Sequence, residues 1–74
     1  MTAKEMFEEL GFILKCDDDG QILYFDPVYD IWIRFCKSIK AYECIHGKRP
    51  LMVYMIEHKA IHKQCEELGW LDVD

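Results

Sequence analysis

The chain has 74 residues, 51% of them hydrophobic and 14% aromatic, and a formal net charge of −5. Such a share of aromatic and aliphatic side chains excludes a disordered chain and, at this length, predicts one small domain over residues 1–74. The negative charge argues against a general binder of duplex DNA, which presents an excess of Lys and Arg to the phosphates.

The first predicted element is a helix over residues 3–10. Its start fits a capping box, in which the Thr2 hydroxyl accepts from the Glu5 amide and the Glu5 carboxylate accepts from the Thr2 amide. Phe7 and Leu10 follow on one apolar side, and Gly11 ends the helix.

Three or four antiparallel strands are predicted next, because their connections are too short for parallel crossovers. The third strand alternates most cleanly, with Ile31, Ile33 and Phe35 on one face. Trp32 and Arg34 then lie on the other face. The predicted ranges are 12–16, 21–26, 29–35 and, for a fourth strand, 39–45, followed by a loop over 46–50.

The turn between the first two strands is the acidic stretch DDDG, residues 17–20. A tight hairpin turn predicts a positive φ at Gly20. A calcium site is the alternative, but an EF-hand loop needs alternating ligands over twelve residues and a closing Glu. Strand-forming residues occupy those positions here, so the stretch indicates a solvated turn.

A second helix is predicted over residues 54–68, where one stripe recurs at helical spacing. Its members are Tyr54, His58, Ile61, Cys65 and Leu68. The predicted fold class is therefore α+β: an N-terminal helix, a three- or four-stranded antiparallel meander and a C-terminal helix, with both helices on one face of the sheet.

The sequence EELG followed by an aromatic residue occurs twice, at residues 8–12 and 66–70. In a Schellman ending, a glycine in the left-handed conformation follows the helix, and the next residue packs back on the last turn. The two copies therefore predict the same helix ending at Gly11 and Gly69.

The sequence shows no export signal and no apolar run long enough to cross a membrane. We therefore expect a cytoplasmic protein whose cysteines are reduced and mostly buried. These cysteines are Cys16, Cys36, Cys44 and Cys65.

The chain resembles a group of small uncharacterised proteins encoded by prophages and phages of Gram-positive bacteria. The resemblance rests on the opening KEMFEELGF, the strand ILYFD and the ending EHKAIHKQCEELGW. It implies an αβββα domain and supplies no activity. In that pattern the second helix usually opens with a Thr or Ser cap and paired acids, whereas the stretch VYMIE, residues 53–57, lacks that cap here. His58 and His62 stand where Leu and Asn are commoner.

His58, His62 and Cys65 occupy positions i, i+4 and i+7 of the second helix, a spacing that can hold zinc. No CxxC or HExxH pair supports such a site, so we expect no metal and no cofactor, and a structural zinc-binding domain stays an alternative. Cys65 lies near a helix C-terminus, where the helix dipole opposes a thiolate. Without an obvious nucleophile or base, the sequence predicts no enzyme.

The candidate functional surface is the sheet face opposite the helices. The residues proposed to form it are Trp32, Arg34, Tyr24, Tyr42 and Lys40, with Lys15 joining them in some registers. Trp, Tyr and Arg are common anchors of protein interfaces, so we expect a protein partner or self-association. Stacking of single-stranded nucleic acid is an alternative, and so is plain packing of Trp32 beneath the loop over residues 45–50.

Overall fold

The computed structural model describes residues 1–47 and 52–71. Two helices flank one antiparallel sheet whose strands follow the chain order β1-β2-β3-β4. The elements are α1 (Ala3–Glu9), β1 (Ile13–Asp17), β2 (Gln21–Asp26), β3 (Ile31–Cys36), β4 (Ala41–His46) and α2 (Met55–Glu67). The α+β prediction is confirmed, and the fourth strand is present. His46, predicted to begin a loop, ends β4 instead, and residues 48–50 of that loop lie outside the described residues.

The core lies between the helices and one sheet face, which we call the inner face. Its largest fully buried side chains include Phe7, Tyr24 and Phe35, and the rings of Phe7 and Tyr24 stack with centroids 4.1 Å apart. The Tyr24 hydroxyl donates a 2.7 Å hydrogen bond to the buried Gln64 Oε1. Burial raises the pKa of Tyr24, so the hydroxyl stays protonated and keeps donating. Both helices pack on this same face, as predicted.

The buried side of α2 differs from the predicted stripe. Tyr54 and His58 are exposed, and the buried residues are Glu57, Ala60, Ile61, Gln64 and Cys65. The prediction was confirmed for Ile61 and Cys65 and was wrong for Tyr54 and His58, because it followed apolar and ring-bearing residues alone. The helix instead buries two long polar side chains that hydrogen-bond from the core side.

Both helices end in the predicted Schellman geometry. Gly11 and Gly69 have φ values of 96° and 76°. The amide of Phe12 donates to the Phe7 carbonyl at 3.0 Å, and the amide of Trp70 donates to the Cys65 carbonyl at 3.0 Å. The Phe7 and Phe12 rings also meet edge to face with centroids 5.5 Å apart. The repeated sequence is one helix-ending device used twice.

The start of α1 is capped from two sides. The predicted capping box forms, because Thr2 and Glu5 exchange backbone-to-side-chain hydrogen bonds of 2.8 and 3.2 Å. The Glu67 carboxylate at the end of α2 also accepts from the Ala3 amide at 2.8 Å. The carboxylate therefore lies at the positive end of the α1 dipole, where a negative charge is stabilising.

The start of α2 uses half of a capping box. The Glu57 carboxylate accepts from the Tyr54 amide at 3.0 Å, while the Tyr54 side chain makes no capping hydrogen bond. The helix begins without the Thr or Ser that the resemblance led us to expect.

The hairpin turns place positive φ at residues other than the one predicted. Gly20 is not in the left-handed region, because the Asp18 carboxylate holds the turn by accepting from the amides of Gly20 and Gln21 at 2.8 and 2.9 Å. The β2–β3 and β3–β4 turns instead have Asp30 and Lys40 at φ values of 56° and 52°. Each of these turns spans four residues between six-residue strands.

Candidate functional site

The face of the sheet opposite the helices is called the outer face. On β3, Ile31, Ile33 and Phe35 are buried on the inner face, at 1%, 2% and 0% exposure. Strand alternation then places Trp32 and Arg34 on the outer face, as the sequence predicted.

Antiparallel pairing aligns four large apolar side chains in one line across this face, which we call the outer row. Ile13 pairs with Phe25, Phe25 with Trp32, and Trp32 with Ile45. The two aromatic rings in the middle stack with centroids 4.2 Å apart. The two isoleucines at the ends are 48% and 45% exposed. The helices pack on the other side, so this apolar line faces outward.

Charged side chains flank the outer row. The next row on the same face lies two residues along each strand and consists of Leu23, Arg34 and Glu43, which pair across β2, β3 and β4. In it, Arg34 Nε lies 3.3 Å from Glu43 Oε1. Lys15 is the extra residue of a bulge in β1, and its Nζ lies 5.9 Å from the centroid of the Phe25 ring. The outer face is therefore apolar in one row and carries both signs of charge in the next.

Three predicted members of the surface lie elsewhere. Tyr24 is 2% exposed on the inner face, and Tyr42 pairs with Phe35, so its side chain is on the inner side too. Lys40 lies in the β3–β4 turn, at the opposite end of β3 from Trp32. The prediction was wrong for the two tyrosines because their strands carry apolar side chains on both faces, and a pattern of that kind does not identify the inner face. It was wrong for Lys40 because the fourth strand begins at Ala41 and not at residue 39.

Sequence reasoning missed three members of the outer row: Ile13, Phe25 and Ile45. For Phe25 and Ile45 the available signal was the spacing of the meander, because six-residue strands and four-residue turns fix which residues pair. Ile13 gave no such signal, because the bulge in β1 shifts the register. Once Ile31, Ile33 and Phe35 are assigned to the core, counting back through the turn places Phe25 beside Trp32.

The three zinc candidates do not converge. His58 and His62 are exposed on α2, with ring centroids 6.4 Å apart, whereas Cys65 is buried. His62 Nε2 lies 3.9 Å from Glu66 Oε2. Within residues 1–47 and 52–71, no group of three His, Cys, Asp or Glu side chains is arranged to hold a metal ion.

Two of the four thiols, those of Cys16 and Cys65, lie in surroundings that disfavour a nucleophile. Among the described residues no disulfide joins the four cysteines, and only Cys65 is buried, so the expectation that most would be buried was wrong. Burial raises the pKa of Cys65. The pKa of Cys16 is raised as well, chiefly because its thiol donates to the Asp18 carboxylate. Both shifts disfavour the thiolate that a nucleophile needs.

A cleft of about 290 Å³ opens between the end of β2 and the start of α2. Two buried carboxylates line it, those of Asp26 and Glu57. Each accepts a backbone amide, from Val28 at 2.9 Å and from Tyr54 at 3.0 Å. These hydrogen bonds hold a turn and a helix start, which gives both carboxylates a structural role.

Comparisons with known proteins find no matching family model, no matching curated protein and no matching solved structure. Among the helices of the described residues, none is long and apolar enough to cross a membrane.

Proposed function

We propose that this chain is a non-enzymatic accessory protein of phage origin that acts in the cytoplasm by binding protein through its outer sheet face. The observation that carries the proposal is the outer row. Four large apolar side chains lie side by side on a face that neither helix covers. Burying apolar surface of this kind against a partner lowers the free energy of the complex.

The composition of the face favours protein over nucleic acid as the partner. A stacked pair of aromatic rings at the centre with charged groups around it is the usual composition of a protein interface. A single-strand binder needs cations free to meet phosphates. Here Arg34 already pairs with Glu43, whose charge would repel a phosphate backbone.

The roles of three acidic or nucleophilic groups within the described residues support a non-enzymatic role. Cys65 has a raised pKa, and Asp26 and Glu57 already serve as acceptors for backbone amides. An enzyme would need converging acids, bases or nucleophiles with a path to substrate.

A pull-down from host lysate with wild type and Trp32→Ala tests the proposal. We expect wild type to recover a protein partner, or an added tagged copy of itself, and Trp32→Ala to lose it. Ile39→Ala is the matched control, since Ile39 is 71% exposed in the β3–β4 turn and away from the outer row. Equal recovery by wild type and Trp32→Ala, with both folded, would contradict the proposal. Recovery of nucleic acid that falls steeply with salt would replace protein by a single-stranded partner.

A further inference from the structure

The outer row has the same order of side-chain types when followed from either edge of the sheet. It runs isoleucine, aromatic ring, aromatic ring, isoleucine from β1 to β4. A rotation that exchanges β1 with β4 and β2 with β3 therefore places like against like. Such a surface is complementary to itself, which is the condition for a two-fold symmetric interface.

We propose that the partner of the outer face is a second copy of this chain, packed sheet to sheet about a two-fold axis parallel to the strands. This inference rests on the proposed function and names its partner. In this arrangement Ile13 meets Ile45 of the second copy, and Phe25 meets Trp32 of the second copy. Two sheets packed with their strands aligned are a standard arrangement of β-sandwiches.

The charges next to the outer row fit the same rotation. Lys15 lies on β1 and Glu43 on β4, at opposite edges of the sheet and both one step along from the outer row. The two-fold axis brings Lys15 of each copy towards Glu43 of the other, so two opposite-charge contacts form at once. Arg34 then faces Leu23 of the second copy, where the aliphatic part of its side chain packs on an apolar group.

A two-fold axis along the outer row instead of along the strands makes a different prediction. That axis would set Phe25 against its own copy and carry Lys15 away from Glu43. The opposite-charge contacts therefore distinguish the two arrangements.

The size of the face predicts a reversible dimer. Four strands about 4.8 Å apart, of five or six residues at about 3.4 Å each, give a face of roughly 20 by 20 Å. Two such faces bury an area at the low end of specific interfaces, which is typical of weak and transient complexes. We therefore expect association that depends on concentration.

Sedimentation velocity over a wide range of concentrations tests the dimer. Wild type is expected to pass from monomer to dimer as concentration rises, and Trp32→Ala to remain monomeric. Lys15→Glu and Glu43→Lys each place like charges in contact twice, so each is expected to raise the dissociation constant by about tenfold or more. Lys40→Glu is the matched control, because it reverses a charge in the β3–β4 turn and is expected to leave the dimer unchanged.

Mixing the two single variants gives the decisive measurement. A Lys15→Glu copy and a Glu43→Lys copy together restore both opposite-charge contacts, so the mixture is expected to form a heterodimer that neither variant forms alone. The double variant is expected to dimerise like wild type. Thermal melts of each variant check that the Arg34 neighbour tolerates the change at Glu43.

The outcomes separate this inference from the proposed function. A wild type that stays monomeric at every concentration would overturn the dimer, while Trp32-dependent recovery of a different protein from lysate would still support the proposed function. A dissociation constant that neither charge reversal changes would overturn the two-fold arrangement described here. No dimer and no Trp32-dependent partner would overturn both.

Discussion

At the scale of single residues, Gly11 and Gly69 hold φ values that an L side chain adopts only with strain. We expect Gly11→Ala and Gly69→Ala each to lower the free energy of unfolding by about 1 kcal/mol. At Gly11 no atom lies within 4 Å of the position that a Cβ would take. The stability lost in Gly11→Ala therefore reports the backbone strain alone.

Chemical denaturation of the two variants measures the effect, with Gly20→Ala as the control. Gly20 is outside the left-handed region, and its nearest neighbour to a new Cβ is Asp18 Oδ1 at 3.5 Å, an ordinary contact. An unchanged midpoint for Gly11→Ala and Gly69→Ala would contradict the Schellman explanation.

Gly47 is required for a different reason, which is close approach. A Cβ at Gly47 would stand 2.3 Å from Asp30 Oδ2 and 2.8 Å from Asp30 Cβ. We expect Gly47→Ala to destabilise the wild type by roughly 1–3 kcal/mol, as overpacking does. In an Asp30→Gly background the same change should be almost neutral, because the clashing side chain is gone and glycine accepts the positive φ at that position.

A double-mutant cycle from denaturation midpoints gives this coupling. Equal losses from Gly47→Ala in both backgrounds would show that the contact with Asp30 does not determine the need for glycine.

At the scale of elements, one buried hydrogen bond joins the sheet to α2. Tyr24→Phe removes the 2.7 Å hydrogen bond to Gln64 and leaves a buried amide oxygen without its donor. We expect a loss of about 1–3 kcal/mol in the free energy of unfolding. Tyr29→Phe is the control, because Tyr29 is 52% exposed and its hydroxyl reaches water. If the double variant Tyr24→Phe, Gln64→Leu were no more stable than Tyr24→Phe, the unsatisfied amide would not be the cause.

The β1–β2 turn gives a pH dependence of known sign. Amides of Gly20 and Gln21 donate to the Asp18 carboxylate and lower its pKa in the folded chain. A lowered folded pKa stabilises the fold above the unfolded pKa of about 3.9 and loses that contribution as pH falls through the folded value. In thermal melts, the melting temperature of wild type should therefore exceed that of Asp18→Asn at neutral pH, and the difference should shrink as the solution is acidified.

Asp19→Asn serves as the control for this turn, because the Asp19 side chain makes no hydrogen bond within the described residues. Its melting temperature should track wild type through the same acid range. A constant difference between wild type and Asp18→Asn at every pH would contradict the assignment.

How far the sequence predicts these elements depends on what each side chain faces. Helix ends and the β3 strand were predictable, because capping residues and a strict alternation about Trp32 leave one assignment. The position of Tyr24 was not, because Leu23 and Phe25 are as apolar as their neighbours on the inner face. The sequence therefore assigned Trp32 and Arg34 to the outer face correctly. It did not assign residues of the other strands, because only the pairing register shows which of them share that face.

At the scale of the whole molecule, Glu67 holds the two helices together at one end. Glu67→Ala removes the 2.8 Å hydrogen bond to the Ala3 amide and a favourable charge at the α1 N-terminus. We expect a loss of about 1 kcal/mol in the free energy of unfolding. Glu9→Ala is the control: a negative charge at the C-terminal end of α1 opposes the dipole, so its removal should be neutral or slightly stabilising. Equal losses for both variants would show that the Ala3 contact contributes nothing specific.

The same contact has a kinetic consequence. Each hairpin turn of three or four residues closes a short loop, whereas the Ala3–Glu67 hydrogen bond joins positions 64 apart in the chain. Closing a loop about sixteen times longer costs roughly 2.5 kcal/mol more in chain entropy, at about 0.6 kcal/mol per doubling. The hairpins of the meander can therefore form one after another before the two ends of the chain meet. The helix pair would then be the last unit to dock during folding and the first to detach when the native protein opens locally.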